Sequence, residues 1–215
     1  MGGFSFYFSR KREQSVSSLC YTFPRMEKWK GGSFSSPKQR FFSVRRICSL
    51  GICLALMCVL SPLSIPIEPV PITLATLVLY LLASILGPIS STLTVFLYLS
   101  LGAMGLPVFS KYQAGFATLL GPTGGYLFGY LPCALLESLL LCKFSRHKWV
   151  YPLAMIAGTI VLYAFGTLWF VFSAHYELGK ALAIAVLPFL PGDALKITLA
   201  SLLGIRLRPL LQKQE

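Results

Sequence analysis

Apolar residues dominate the chain from Ile47 onward, and proline, glycine and charged residues divide them into separate runs. The longest runs cover residues 47–67, 72–86, 89–106, 126–142, 150–173 and about 191–207. A bilayer core takes about 20 apolar residues and accepts about 17, so the run 72–86 is short unless Pro71 and Gly87 also lie in the span. The pattern predicts an all-α membrane protein, a bundle of six transmembrane helices. A further run, residues 181–190, is too short to cross and is predicted to lie at the interface as a short helix or re-entrant segment.

Composition supports this class of protein. The 215 residues are 55% hydrophobic and 12% charged, whereas soluble domains carry about 25% charged residues. The formal net charge is +12, but ten of the nineteen Lys and Arg residues precede Ile47, in a segment without a nucleic-acid-binding motif. A tail near anionic lipid explains this charge, so we expect no nucleic acid partner.

The two parts of the chain are therefore predicted to differ. Residues 1–45 form a basic, disordered N-terminal tail, and residues 46–210 form the transmembrane domain. Met26 offers a second start, so the sequence leaves open whether residues 1–25 belong to the protein.

Basic residues predict the orientation of the bundle, because short cytoplasmic loops are enriched in Lys and Arg. The tail, the loop after the fourth run and the C-terminus hold sixteen of them, and the opposite loops hold only Lys111 and Lys180. Both termini are thus predicted to be cytoplasmic, in a multi-pass protein of the cell membrane. Three irregular stretches, residues 66–73, 107–126 and 188–193, then fall on the outer side. Irregular backbone at a membrane is tolerated where protein buries it or where it lines a cavity, so these stretches predict a site open to the outside.

Two charged residues lie between apolar runs in the segment PFLPGDALK, residues 188–196. Asp193 falls in the first turn of the sixth predicted helix, where the helix dipole favours a carboxylate, and Lys196 lies three residues later on the same face. A charge in a membrane span costs at least about 2.5 kcal/mol. One interpretation is a helix cap beside a lysine that reaches out to the interface; the other is a pair that contacts a polar ligand.

The segment GPTGGY, residues 121–126, is the second candidate for a binding element. It is not followed by the GK[ST] of a phosphate loop, so ATP binding is not expected. Its glycines let the backbone approach a ligand or a helix closely, and Thr123 and Tyr126 could line a pocket. A simple turn from loop to helix is the alternative.

Glu137 lies in the middle of the fourth run with no basic residue within a helical turn. A proton relay, a partner contact and a hydrogen-bonding group inside the bundle are the options, and the last is favoured. In the first run, Gly51 and Ala55 form a small-residue pair that permits close helix contact, within the bundle or with another subunit.

The sequence carries no catalytic or metal-binding pattern. It contains no Walker motif, HExxH, GxSxG or Cys/His metal spacing, and its six cysteines are interpreted as small apolar residues. His147 and His175 fall in loops on opposite sides and cannot share a metal. We therefore expect no enzyme, no metal and no bound cofactor, so active transport would draw its energy from a partner or a gradient.

Four segments in order resemble one family: VPITLATL (70–77), LGAMGLPVF (101–109), GPTGGYLFGY (121–130) and LPFLPGDALK (187–196). The sequence from about residue 47 to 210 is similar to the BioY proteins, the biotin-binding S components of energy-coupling factor (ECF) transporters. The resemblance implies a six-helix bundle that binds biotin from the outside. It also implies a transmembrane coupling subunit and two cytoplasmic ATPases as partners, with ATP bound only by the ATPases.

The resemblance assigns roles to individual residues. Asp193 and Lys196 match the acidic and basic pair that contacts biotin, although which end of biotin they meet stays open. The segment containing Thr123, Gly124, Gly125 and Tyr126 helps to enclose the ligand, and the aromatic candidates for packing its bicyclic ring are Phe109, Tyr112 and Tyr126. Gly51 and Ala55 match the face that meets the coupling subunit.

The sequence departs from the family where PITLQTL is usual, because Ala75 replaces the glutamine. Its polar contact is then missing, or Gln113 supplies it. The alternatives are an S component for another vitamin, a stand-alone facilitator and a membrane-embedded enzyme acting on lipid, against which the lack of a paired acid and base counts.

Overall fold

The computed structural model describes residues 44–65, 72–144, 147–174, 179–180, 182 and 186–212. Its helices are α1 (Val44–Leu60), α2 (Ala75–Ile85), α3 (Pro88–Ala103), α4 (Phe116–Leu120), α5 (Gly124–Phe144), α6 (Val150–Ala174) and α7 (Leu190–Gln212). Two short strands, β1 (Ser64–Ile65) and β2 (Ile72–Thr73), pair antiparallel between α1 and α2. Single 3₁₀ turns cover Ser110–Tyr112 and Leu187–Phe189. The predicted tail lies outside the described residues except for 44–45, as does most of the predicted interfacial segment 181–190.

The first two apolar runs form shorter helices than predicted. The helix α1 ends at Leu60 rather than at residue 67, since Ser61 precedes Pro62 and a residue before proline disfavours helical backbone. The start of the second run is strand β2, so α2 has 11 residues and rises only about 16 Å, half of a bilayer core. Apolarity without helical periodicity did not distinguish the extended residues from the helix.

Helices α5 and α6 pack together through glycines. A Cβ at Gly125 would overlap the side chain of Trp169, and one at Gly129 would lie 3.0 Å from Leu162 Cδ1. From the other side, Gly166 lies against the ring of Tyr126. Small residues four apart allow two helix backbones to approach closely, and this pair in α5 was missed in the sequence.

Two of the described helices have the length and apolar composition to cross a membrane, Gly124–Phe144 and Val150–Ser173. Their apolar windows are 44% and 39% buried, so most of each surface faces outward. Large apolar side chains cover the outer faces of other helices as well, among them Ile52, Phe96 and Leu202. Helix α7 differs, because it carries Asp193, Lys196, Arg206 and Arg208.

Glu137 is fully buried in α5, and neither carboxylate oxygen has a hydrogen-bond partner among the described residues. The neighbouring hydroxyl of Ser138 is bonded to Ser91 at 2.7 Å and to the Ala134 carbonyl at 2.7 Å instead. Glu137 therefore makes no side-chain hydrogen bond to the described residues. Over these residues, the favoured interpretation of Glu137 as a hydrogen-bonding group within the bundle is wrong.

One of the five cysteines among the described residues departs from the prediction. Cys48, Cys53, Cys58 and Cys133 are free thiols, whereas Cys142 is disulfide-bonded. No short cysteine spacing in the sequence signals such a bond.

Candidate functional site

A cavity partly open to solvent lies between α2, α5, α6 and α7. Twelve residues line it: Thr73, Thr76, Ser110, Thr123, Tyr126, Leu127, Tyr130, Leu162, Tyr163, Phe189, Asp193 and Lys196. Each of the three irregular stretches contributes, with Thr73 from the first, Ser110 and Thr123 from the second, and Phe189 from the third. The sequence predicted that these stretches share a site, and the structure brings them to one cavity.

Asp193 and Lys196 form an ion pair in the wall of this cavity. Lys196 Nζ lies 3.0 Å from Asp193 Oδ1, and the two residues are only 5% and 7% exposed. The spacing of three residues in α7 brings both side chains to one face of the helix. A lysine this deeply buried does not reach out to an interface, so the structure excludes the interpretation of a cap beside an outward-reaching lysine.

Two hydroxyl groups from other helices complete the hydrogen bonding of the pair. Tyr163 of α6 donates to Asp193 Oδ2 at 2.5 Å, and Lys196 Nζ donates to Thr76 Oγ1 of α2 at 3.0 Å. Within the described part of the chain, each carboxylate oxygen thus accepts one side-chain bond, and two of the three ammonium hydrogens are used.

The remaining hydrogen-bonding capacity defines what the pair can recognise. An ammonium group has three donors and a carboxylate about four acceptor positions. One donor of Lys196 and about two acceptor positions of Asp193 are therefore not used by the described residues. Of the described lining residues these two alone carry formal charge, and their charges cancel. The site suits a neutral group that combines one acceptor with N–H donors.

Aromatic side chains make another part of the cavity wall largely apolar, in contrast to the charged pair. Tyr126 and Tyr163 pack against a cluster of Phe170 and Phe189, and Tyr130, which is 5% exposed, also lines the cavity. Small-molecule sites commonly combine such an apolar surface with a few placed polar groups.

Comparison with known proteins identifies the family. The family model described as "BioY family" matches residues 34–213. The chain belongs to the BioY family. It is 40% identical over 167 residues to the biotin transporter BioY of Thermotoga maritima, a match that covers 78% of this chain and 98% of that protein. It is 32% identical over 164 residues to the probable biotin transporter BioY of Pyrococcus horikoshii, with 76% and 96% covered.

A solved structure agrees. The crystal structure of the S-component for biotin from an ECF-type ABC transporter is similar with a TM-score of 0.73 and 30% identity, over 77% of this chain and 92% of that one. The resemblance, the all-helical S-component fold and the assignment to transporters rather than enzymes are thereby confirmed. This BioY chain is a membrane protein.

The glycine-rich BioY segment has two different functions in the structure. Thr123 and Tyr126 line the cavity. Gly124 and Gly125 are buried in the first turn of α5, where a Cβ would overlap the Leu119 carbonyl and Trp169 respectively. These glycines therefore bring the helix close to its neighbours, and the structure does not place them in the cavity wall.

Three other predicted contact residues are not among those that line the cavity. Phe109 is fully buried in the core, edge-on to Tyr98 with ring centroids 5.7 Å apart, and it fills the space left by Gly102. Tyr112 is 64% exposed. Gln113 is also exposed, and its backbone, not its side chain, bonds Phe109 and Ser110.

Other aromatic residues lie at the cavity, where the sequence predicted Phe109 and Tyr112. Tyr130, Tyr163 and Phe189 line the cavity, and sequence reasoning missed all three. Tyr130 could have been found, because it lies four residues after Tyr126 and thus on the same helical face. Tyr163 offered only a polar tip within an apolar run.

Gly51 and Ala55 lie on the exposed face of α1. Beyond its own helix backbone and chain neighbours, no atom of the described residues lies within 4 Å of a Cβ built at Gly51, and Ile52 and Leu56 beside them are also exposed. Among the described helices this small-residue face packs against none, so a contact with another subunit stays a prediction.

Proposed function

We propose that this chain is the biotin-binding S component of an ECF-type transporter, which captures biotin for uptake. The observation that carries the proposal is the buried Asp193–Lys196 pair facing a cavity in a chain of the BioY family. Relatives named as biotin transporters support biotin as the ligand. No catalytic group is required, because the chain binds its ligand without changing it.

The hydrogen bonds of the pair indicate how biotin lies in the site. The ureido ring of biotin is neutral, with one carbonyl acceptor and two N–H donors, and it complements the free donor of Lys196 and the free acceptors of Asp193. The valerate carboxylate would gain little here, since repulsion from Asp193 offsets attraction to Lys196. We therefore propose that the ureido end meets the pair and that the rings pack against Tyr126, Tyr130 and Phe189.

Equilibrium binding of labelled biotin to the purified protein tests this function. We expect tight binding by wild type and weaker binding by Asp193→Asn and Lys196→Ala, because each removes a charge-assisted hydrogen bond worth about 1.5–3 kcal/mol. Lys148→Ala is the matched control, since Lys148 is exposed and distant in the chain from the lining residues. Absence of biotin binding by wild type would refute the proposal, and binding of another vitamin in competition would identify the alternative.

The orientation in the membrane is part of the proposal. Helices α1, α2, α3, α5, α6 and α7 are the six spans, both termini are cytoplasmic, and the cavity opens outside the cell membrane. Met104 after α3 and Trp149 before α6 are 82% and 81% exposed, so Met104→Cys and Trp149→Cys form a matched pair. A membrane-impermeant thiol reagent added to intact cells should label Met104→Cys, but not Trp149→Cys, above the wild-type background of native free thiols. Labelling of Trp149→Cys alone would show that the topology is inverted.

Transport is proposed to depend on a transmembrane coupling subunit and two cytoplasmic ATPases. The exposed face of Gly51 and Ala55 is the proposed contact with the coupling subunit, because small residues permit close helix packing. Biotin uptake should therefore require co-expression of these partners and ATP. Uptake by the chain alone in vesicles would favour the stand-alone facilitator instead.

A further inference from the structure

Two uncharged side chains hold the Asp193–Lys196 pair from different helices. Tyr163 of α6 donates to one carboxylate oxygen at 2.5 Å, and Thr76 of α2 accepts from the ammonium group at 3.0 Å. Thr76 is 7% exposed, and the ring of Tyr163 packs against Phe170 and Phe189. Both hydroxyls are thus fixed by surroundings that do not involve the ligand.

These two bonds determine which atoms of the pair face the cavity. An ammonium group whose first two hydrogens point at Asp193 Oδ1 and Thr76 Oγ1 has the direction of its third hydrogen set by tetrahedral geometry. The bond from Tyr163 to Oδ2 likewise fixes the rotation of the carboxylate plane. Without them, the long side chain of Lys196 and the terminal torsion of Asp193 would have several accessible arrangements.

We propose that Tyr163 and Thr76 are positioning residues that set the hydrogen-bonding pattern the Asp193–Lys196 pair presents to the ureido ring. This inference rests on the proposed biotin-binding function and assigns specificity within the same site. Tyr163 acts through Asp193, because the only proton of its hydroxyl is committed to that carboxylate. Thr76 acts through Lys196.

The expected effect on affinity is moderate. Both bonds exist before the ligand arrives, so their removal leaves the ligand contacts available but requires the pair to be ordered on binding. Immobilising a side chain of this kind weakens binding by about three- to tenfold. We expect that loss for biotin with Tyr163→Phe or with Thr76→Val, which keeps the shape of threonine and removes its hydroxyl.

Discrimination at the ureido end separates positioning from packing. In 2-iminobiotin a protonated guanidine replaces the urea, so its donor pattern does not match the arrangement held by the hydroxyls. Loss of positioning should therefore weaken biotin by three- to tenfold and 2-iminobiotin by less than about twofold. Equal weakening of both ligands would show a packing role and overturn the inference, as would no weakening of either.

The experiment is competition binding to the full chain with matched variants. Thr76→Ser restores the hydroxyl and should recover biotin affinity, and Tyr151→Phe, a second tyrosine of α6 outside the cavity lining, should leave it unchanged. In the Asp193→Ala background, which leaves the Tyr163 hydroxyl no acceptor at this position, Tyr163→Phe should cause no further loss; an equal second loss would show direct contact with the ligand and overturn positioning. If wild type binds no biotin, the proposed function fails and this inference with it. If wild type binds and the ratio of the two ligands is unchanged in Tyr163→Phe, only this inference fails.

Discussion

The buried ion pair in the cavity wall should lower the stability of the fold, and only ligand binding should offset that loss. This is tested by three variants of α7: Lys196→Met, Asp193→Leu and the double variant. Each single change leaves one charge buried without its counter-ion, in residues that are 5% and 7% exposed. Breaking a buried pair in this way costs about 3–5 kcal/mol.

The double variant should behave differently. Replacing both members of a buried pair by apolar residues is often neutral or stabilising by about 1–4 kcal/mol. The hydroxyls of Tyr163 and Thr76 would lose their partners, but they line the cavity, where water can bond them. We therefore expect the double variant to unfold at or above the wild-type temperature, although all three variants bind biotin at least about tenfold more weakly because they lose charge-assisted hydrogen bonds.

The assay combines thermal unfolding in detergent, followed by tryptophan fluorescence, with biotin binding on the same samples. Lys148→Met, at an exposed lysine, controls for loss of a positive charge. If the double variant loses as much stability as the two single variants together, the pair holds the bundle together and the reasoning is refuted. Full biotin binding by the double variant would place the ligand elsewhere.

Three further predictions follow from the structure. Wild type should bind 2-iminobiotin at least about tenfold more weakly than biotin in competition, because the cationic guanidine has no acceptor for Lys196 and one charge-assisted hydrogen bond is lost. Equal affinity would show that the ureido group does not contact the pair. Glu137→Leu should raise the unfolding temperature without changing biotin binding, because an unsatisfied buried group costs about 1–3 kcal/mol and Glu137 has no described partner; a lower temperature would show an essential contact. Gly125→Ala should lower stability by about 1–3 kcal/mol through overlap with Trp169, whereas Gly51→Ala, with no atom within 4 Å, should not; equal effects would contradict glycine-mediated packing of α5 on α6.

The parts of the fold that the sequence predicted well are those that depend on local pattern. Helix α6 spans Val150–Ala174 against a predicted 150–173, because an uninterrupted apolar run leaves little choice of boundaries. Asp193 and Lys196 meet on one face because helical spacing alone requires it. The predicted end of α1 was wrong because apolar residues continue after Pro62 in an extended conformation. Hydrophobicity alone does not distinguish helical from extended residues.

The parts that sequence reasoning missed depend on contacts between distant segments. Thr76 lies 120 positions from Lys196, which it accepts a hydrogen bond from, and Tyr163 lies 30 positions from Asp193. Neither residue type signals such a contact on its own, since Thr and Tyr are common in apolar helices. Phe109 was predicted at the ligand as an aromatic residue at the end of the family segment 101–109, but the absence of a side chain at Gly102 gives its ring a buried position in the core.

The supporting contacts indicate that the site is formed before the ligand binds. Glycine packing holds α5 against α6 and so fixes Tyr126, whose ring lies on Gly166, beside the wall that contains Tyr163. Tyr163 in turn fixes Asp193 of α7, and Lys196 ties α7 to Thr76 of α2. A site whose polar atoms are already ordered loses little conformational entropy on binding, which suits a protein that binds biotin for uptake. We therefore propose that the two charges form a rigid, electrically neutral recognition element, whose cost to the fold is offset when ligand occupies the cavity.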